Sequence, residues 1–186
     1  MMGNYKALIF VALAGLVTAG CSEKKKTEDI IVPKEEVKAP KGPVRMQDYK
    51  QTKDIQWLGK NYQVEILRTA DDSLQMVKDE DGQKFVDNRI SLRVLRSDGS
   101  VFYQGGFTKA AFENCLDNDY RKTGIVEGFV FDKVDGGHLV FAASVCHPQT
   151  DEYIPLVVTL SSTGEVGIRR DSDLDTFGNE EEDNDD

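Results

Sequence analysis

A β-rich α+β fold, an antiparallel sheet or sandwich of about 7–8 strands with one helix, is predicted by three features of this sequence. Short runs alternate apolar and polar residues from Trp57 to Arg169. Gly-containing turn signals punctuate those runs, among them Asp98-Gly99, Asp135-Gly136-Gly137 and Thr163-Gly164. One stretch, after Thr108, switches to helical spacing. The predicted organisation is a leader at 1–20, a polar tether at 21–55, one globular domain at 56–170 and an acidic tail at 171–186.

Along the domain, Tyr62, Val64 and Ile66 share one face of a first strand. Residues 74–77 are a weaker candidate between two acidic turns, Asp71-Asp72 and Asp79–Asp81, which read as solvent-facing. Asp98-Gly99 predicts a two-residue type I′ hairpin, because both central residues then need positive φ. Pairing outward from it sets Val94 opposite Tyr103, Leu92 opposite Gly105 and Ile90 opposite Phe107, with Leu95/Phe102 and Arg93/Gln104 on the other face. Thr108 is placed as an N-cap for a helix over 109–117, whose inner face carries Phe112, Cys115 and Leu116. Strands at 125–131 and 139–146, then 153–160 and 165–169, form the remaining hairpins. Residues 139–146 are apolar or small on both faces, and Ala142 and Ser144 leave room for the helix to pack there.

The N-terminus reads differently. An apolar or small-residue run of fourteen residues, Ala7 to Gly20, follows a head carrying Lys6. At about 1.5 Å per residue it covers roughly 21 Å, short of the ~30 Å hydrocarbon core, so a cleaved export signal is expected rather than a spanning helix. Residues 22–53 are rich in Lys and Glu and include Pro33, Pro40 and Pro43, the composition of a flexible tether. The chain carries a net charge of −10, and residues 171–186 hold no basic residue, which argues against a nucleic-acid partner.

Candidate chemistry is sparse. After Cys21 there are two cysteines, Cys115 and Cys146. They form either a disulfide, stabilising by roughly 3–4 kcal/mol in the chain-entropy model, or two separately buried thiols. Cys146 and His147 are adjacent in a strand and so point to opposite faces, which argues against a catalytic pair. Asp171, Asp173, Asp175 and Glu182 match part of a calcium loop. However, Thr176 stands where the turn needs glycine, so a solvated acidic tail is the better reading and no metal is expected. No phosphate loop or nucleophile elbow is present, and no cofactor is expected.

The residues Thr18-Ala19-Gly20-Cys21 resemble the lipobox of bacterial lipoproteins, with Thr18 standing where that family usually has leucine. The resemblance implies diacylglyceryl and fatty-acid (palmitate) modification of Cys21, cleavage before it, and anchoring without a transmembrane helix. The runs Ser100-Val-Phe-Tyr, Phe107-Thr-Lys-Ala-Ala-Phe112 and Pro148-Gln-Thr-Asp-Glu-Tyr-Ile-Pro-Leu156 resemble an uncharacterised domain family of Bacteroidetes lipoproteins, which implies a place in the cell envelope, at the outer membrane. The expected function is a non-catalytic binding or accessory domain for another envelope protein or ligand, with the membrane as a partner through the lipid on Cys21. The alternative is an envelope enzyme such as a carboxylate-dependent hydrolase. It would show a pocket with perturbed carboxylates near Tyr103, His138 or Tyr153.

Overall fold

Strand alternation becomes two four-stranded antiparallel meanders in the computed structural model, which describes residues 42–172. The first sheet has the order β1 (Tyr49–Trp57), β2 (Lys60–Ala70), β5 (Asn88–Arg96), β6 (Val101–Phe107). The second runs β7 (Ile125–Asp135), β8 (His138–Cys146), β9 (Tyr153–Leu160), β10 (Val166–Arg170). A two-residue pair, β3 (Val77–Lys78) with β4 (Lys84–Phe85), interrupts the first meander. Between the sheets come a 3-10 helix, Lys109–Cys115, and one α-helical turn and a half, α1 (Asn118–Thr123).

The core lies between the two meanders. Val64 and Ile66 of β2 sit opposite Val94 and Leu92 of β5. All four are buried against Phe129, Phe141, Leu156 and Val158 of the second sheet. A smaller cluster of Val77, Phe85 and Ile125 is closed by Val44 and Met46.

That closure corrects the tether boundary at residue 55. The backbone N–H of Val44 donates to Lys84 O at 2.8 Å, and Val44 O accepts from Val86 N–H at 2.9 Å. β1 then begins at Tyr49. Its sequence is mostly polar because eight of its nine residues are not fully buried, and Trp57 alone ends it in the core. The rest of the tether and the segment from 173 onward, including Cys21, Asp173, Asp175 and Glu182, lie outside the described residues.

The turns depart from expectation in an instructive way. Of Asp98 and Gly99, only Gly99 has positive φ. The Gly99 N–H donates to Arg96 O at 2.9 Å and the Arg96 N–H to Ser100 O at 2.8 Å. This is a three-residue loop, a type I turn with a glycine bulge, rather than type I′. The same pair of bonds recurs around Gly82 and Gly164. Two-residue type I′ geometry, with positive φ at both positions, occurs instead at Gly136-Gly137 and at Leu58-Gly59.

Leu58 is the costly member, with φ at 51° and a side chain 55% exposed. Leu58→Asn is expected to raise stability by about 0.5–1 kcal/mol, since asparagine tolerates that conformation and little burial is lost. Urea denaturation reads this, and an unchanged or lowered midpoint would count against the strain.

β7 is an edge strand whose open side is closed by side chains rather than by another strand. The Val126 N–H donates to Asp87 Oδ1 at 2.9 Å, and Val126 O accepts from Asn88 Nδ2 at 2.8 Å. Arg68 Nη1 donates to Glu127 O, Gln51 Oε1 accepts from Phe131 N–H at 2.9 Å, and Trp57 Nε1 donates to Gly137 O at 2.9 Å. Each of these side chains comes from the first sheet or the residue leading into it, so both sheets are fastened along one seam. An unprotected strand edge invites pairing with other chains, and this one is protected.

Candidate functional site

The predicted helix over 109–117 is two pieces, and the break builds a cavity. Leu116 is extended, with φ −102° and ψ 144°, so the 3-10 segment ends there. Phe112 is its buried anchor. Asp117 then caps a new helix by accepting from the Tyr120 N–H at 3.1 Å, a role expected of Thr108 in the sequence. Thr108 makes no side-chain cap bond. The Gly124 N–H closes α1 on Tyr120 O at 3.0 Å. Arg121 and Lys122 thereby fall in the last turn, where the exposed carbonyl ends favour cations.

Between these helices and the residues preceding β5 lies a basin of about 330 Å³. Asp87 contributes to its lining and is 3% exposed. Leu74, Gln75 and Val77 form one wall, Thr108, Lys109 and Ala110 another, and Arg121 with Lys122 a third. The first wall is pinned by Asp71. Its Oδ1 accepts from the Ser73 N–H at 2.9 Å, its Oδ2 from Arg89 Nε at 2.6 Å, and its own N–H donates to Asp87 O at 2.9 Å. The bonds to its carboxylate, led by one from the Ser73 hydroxyl at 2.6 Å, hold the Asp71 carboxyl down at about 2.

Asp87 and Lys109 have opposed electrostatics. Burial raises the Asp87 carboxyl above its ordinary range, against the backbone N–H bonds of Val126 and Asn88 and the charge of Lys109. Burial likewise lowers the Lys109 ammonium, partly offset by Asp87. Lys109 Nζ donates to Gly124 O at 2.7 Å, while Asp87 Oδ1 takes Val126 N–H and also Asn88 N–H, the latter at 2.7 Å. The pair therefore brackets the start of β7 from two sides. Asp87 is committed to structure through one oxygen, and the ammonium keeps donors to spare.

The three places named for an enzyme pocket, Tyr103, His138 and Tyr153, lie on different strands of the fold. Tyr103 packs against the core from β6. His138 opens β8 in a surface depression with Asp132 and Lys133. Tyr153 pairs with Cys146 at the other end of that strand and is 52% exposed. His147 stacks on Tyr120, ring centroids 4.0 Å apart, and its Nδ1 lies 2.9 Å from Glu152 Oε2. Its Nε2 is 3.2 Å from Asp119 Oδ2, an ion-pair distance without hydrogen-bond alignment. His147 ties α1 to the β8–β9 turn. No group of three or more His, Cys, Asp or Glu among the described residues is placed to hold a metal ion. Asp171, the described member of the calcium-like pattern, uses its N–H to continue the sheet on Pro155 O at 3.0 Å.

Of the two alternatives for Cys115 and Cys146, the disulfide is not formed and the separate thiols are found, since both cysteines are free. Cys115 packs on the core side beside β10, its Sγ 4.0 Å from Ile168 O. Cys146 is in phase with Ala142 and Ser144 on the outer face of β8, its Sγ 3.4 Å from Ser144 Oγ. The core face carries Leu139, Phe141, Ala143 and Val145, so the thiols lie on opposite sides of the sheet. For the same reason the helix does not pack on Ala142, which is exposed.

Burial is the main cause lifting the Cys146 thiol to about 11. At pH 8 its thiolate is then on the order of one in a thousand, so alkylation by iodoacetamide should label Cys115 well before Cys146. Equal labelling in the folded protein, followed by peptide mass mapping, would contradict that burial.

The residues that sequence reading passed over are Asp87, Asn88 and Lys109. Asn88 did carry a signal, being in phase with the apolar series Ile90, Leu92 and Val94. Comparison with curated proteins finds no match. A family model, a domain of unknown function, matches residues 29–168, from before the first strand into β10. The chain belongs to the DUF4738 family.

Proposed function

We propose that this chain is a membrane-anchored envelope lipoprotein, held at the outer membrane through lipid on Cys21. Its β-rich domain is a non-catalytic binding or accessory module for an envelope protein or ligand. The anchor rests on the lipobox-like Thr18-Ala19-Gly20-Cys21 after an apolar run too short to span a bilayer. Some twenty residues then separate Cys21 from Val44, where the described fold first makes backbone bonds. A flexible chain of that length has an r.m.s. span of roughly 25 Å, enough to hold the domain off a bilayer surface.

The observation that carries the binding reading is the basin over Asp87. Its lining has three cations and a single carboxylate, and that carboxylate accepts two backbone N–H bonds through one oxygen. A carboxylate-dependent hydrolase of the glycosidase kind needs two carboxyl groups facing one substrate. The basin instead offers positive charge beside an apolar wall, the arrangement of a recognition site.

The anchor is tested by growing cells with labelled palmitate. Wild-type protein should take up label and fractionate with membranes, whereas Cys21→Ala should do neither. Label-free wild-type protein in the soluble fraction would reduce the reading to simple secretion.

A further inference from the structure

Four of the eight described arginines have carboxylate partners: Arg45 with Asp72, Arg89 with Asp71, Arg93 with Glu65 at 3.0 Å, and Arg170 with Asp117 at 3.5 Å. The three cations of the basin, Lys109, Arg121 and Lys122, are in none of the ion pairs among the described residues. They gather in a chain of net charge −10, so the concentration of positive charge is local. We propose that this basin binds a small ligand through an oxyanion group, a carboxylate or a phosphate, with Lys109 as its inner contact and Arg121 and Lys122 at the rim.

The geometry supports each role. The Lys109 ammonium has three donors, and Gly124 O takes one, leaving two to point elsewhere. That bond also fixes the side chain before any ligand arrives, which removes part of the ordering cost of binding. Arg121 is braced in the same manner, through Nε to Glu113 O at 3.0 Å and Nη1 to Asn118 Oδ1 at 3.3 Å. Lys122 is exposed and adds charge without bracing.

A partly buried ammonium interacts with an anion through a lower effective dielectric than one on open surface, so Lys109 is the strongest contact. Leu74, Val77 and Ala110 give the cavity an apolar side, which suits a ligand with a short hydrocarbon portion beside its charged end. Asp87 opposes an anion when ionised. Its raised proton affinity softens that opposition, and Asp87→Asn removes it while keeping the oxygen that Val126 N–H and Asn88 N–H need.

This proposal rests on the binding reading above, and its test does not involve the lipid. The full chain in a maltoside detergent is titrated with sodium phosphate and, separately, sodium acetate, with sodium chloride holding ionic strength constant. Amide NMR shifts should saturate and concentrate at 74–77, 108–110 and 121–124. Saturation by phosphate alone assigns a phosphate-bearing ligand, and by acetate alone a carboxylate-bearing one.

Lys109→Gln with Lys122→Gln should weaken binding about tenfold and Lys122→Gln alone about threefold, the order of one or two charge-assisted contacts. Asp87→Asn should tighten it. The proposal is overturned if neither anion saturates, if shifts spread evenly over distant lysines such as Lys50 and Lys60, or if Lys122→Gln and the double variant bind like wild type. Failure there with intact palmitate labelling leaves the anchored module standing and removes only this ligand class. Failure of labelling with saturable binding does the converse.

Discussion

Truncating Phe141 to alanine is expected to cost about 3–5 kcal/mol, among the largest losses from a single side chain in the core. Phe141 is fully buried in β8, a central strand of the second sheet. Its ring centroid lies 5.5 Å from Phe129 and 5.8 Å from Phe131, the second edge-on at 78°. Neither neighbour is free to collapse into the space. Both stand on β7, whose open edge is pinned by Asp87, Asn88, Arg68 and Gln51. A site that cannot relax keeps its cavity, which places the cost at the upper end of the range. Domains of this size are stable by only about 5–15 kcal/mol, so the variant should be close to unfolding at 37 °C. Urea denaturation reads the difference, with Phe141→Leu as a milder control near 1 kcal/mol. A loss below about 1.5 kcal/mol for alanine would mean that the aromatic cluster repacks and that β7 is not rigidly held.

Strand alternation made the second meander readable to within a residue except for the end of β7, which runs to Asp135 instead of 131, because a period of two survives wherever one face is buried and turns are short. The β5–β6 register was also readable, for a reason the sequence conceals. The loop has one residue more than a type I′ hairpin, which by itself would shift every pair by one. A second irregularity between Val94 and Leu95 shifts it back, so Val94 still faces Tyr103 and Ile90 still faces Phe107. Leu95 consequently pairs with Val101 instead of Phe102. The two deviations cancel because the buried face fixes the phase more strongly than the turn does.

β1 was not readable. Tyr49–Trp57 owes its existence to pairing with β2 across Leu58-Gly59, a tertiary cause that leaves Lys50, Lys53 and Asp54 in a strand. The basin was hidden more thoroughly. Its charges come from the residue before β5, the first residue of a 3-10 helix and the last turn of α1, three places with no fixed spacing. Sequence patterns report periodicity within an element, and here the chemistry is assembled between elements. The cysteines show the same limit, since helical and strand periods placed each on a face but could not relate the two faces.

Asp87→Ala and Asp87→Asn separate the structural duty of this carboxylate from its charge. Alanine leaves the Val126 and Asn88 N–H groups without their acceptor, and each such buried donor costs about 1–3 kcal/mol, so a total loss of about 2–6 kcal/mol is expected. Asparagine keeps an oxygen in place and should lose little. The charge enters through pH. Burial raises the Asp87 pKa in the folded state, so the native protein holds this proton more tightly than the unfolded chain. Its contribution is therefore most favourable below the unfolded value of about 3.9 and is lost as pH rises through the higher folded value. This is the reverse of a carboxylate in a salt bridge. Wild type should lose stability relative to Asp87→Asn as pH is raised from about 4 towards 7, with the gap levelling once the folded carboxyl is ionised. Urea unfolding of both proteins across that range gives the sign directly. If wild type instead gained on asparagine with rising pH, the Lys109 ammonium would be outweighing burial. Asp87 would then be an ionised partner of Lys109, and the basin would be less positive than its three cations suggest.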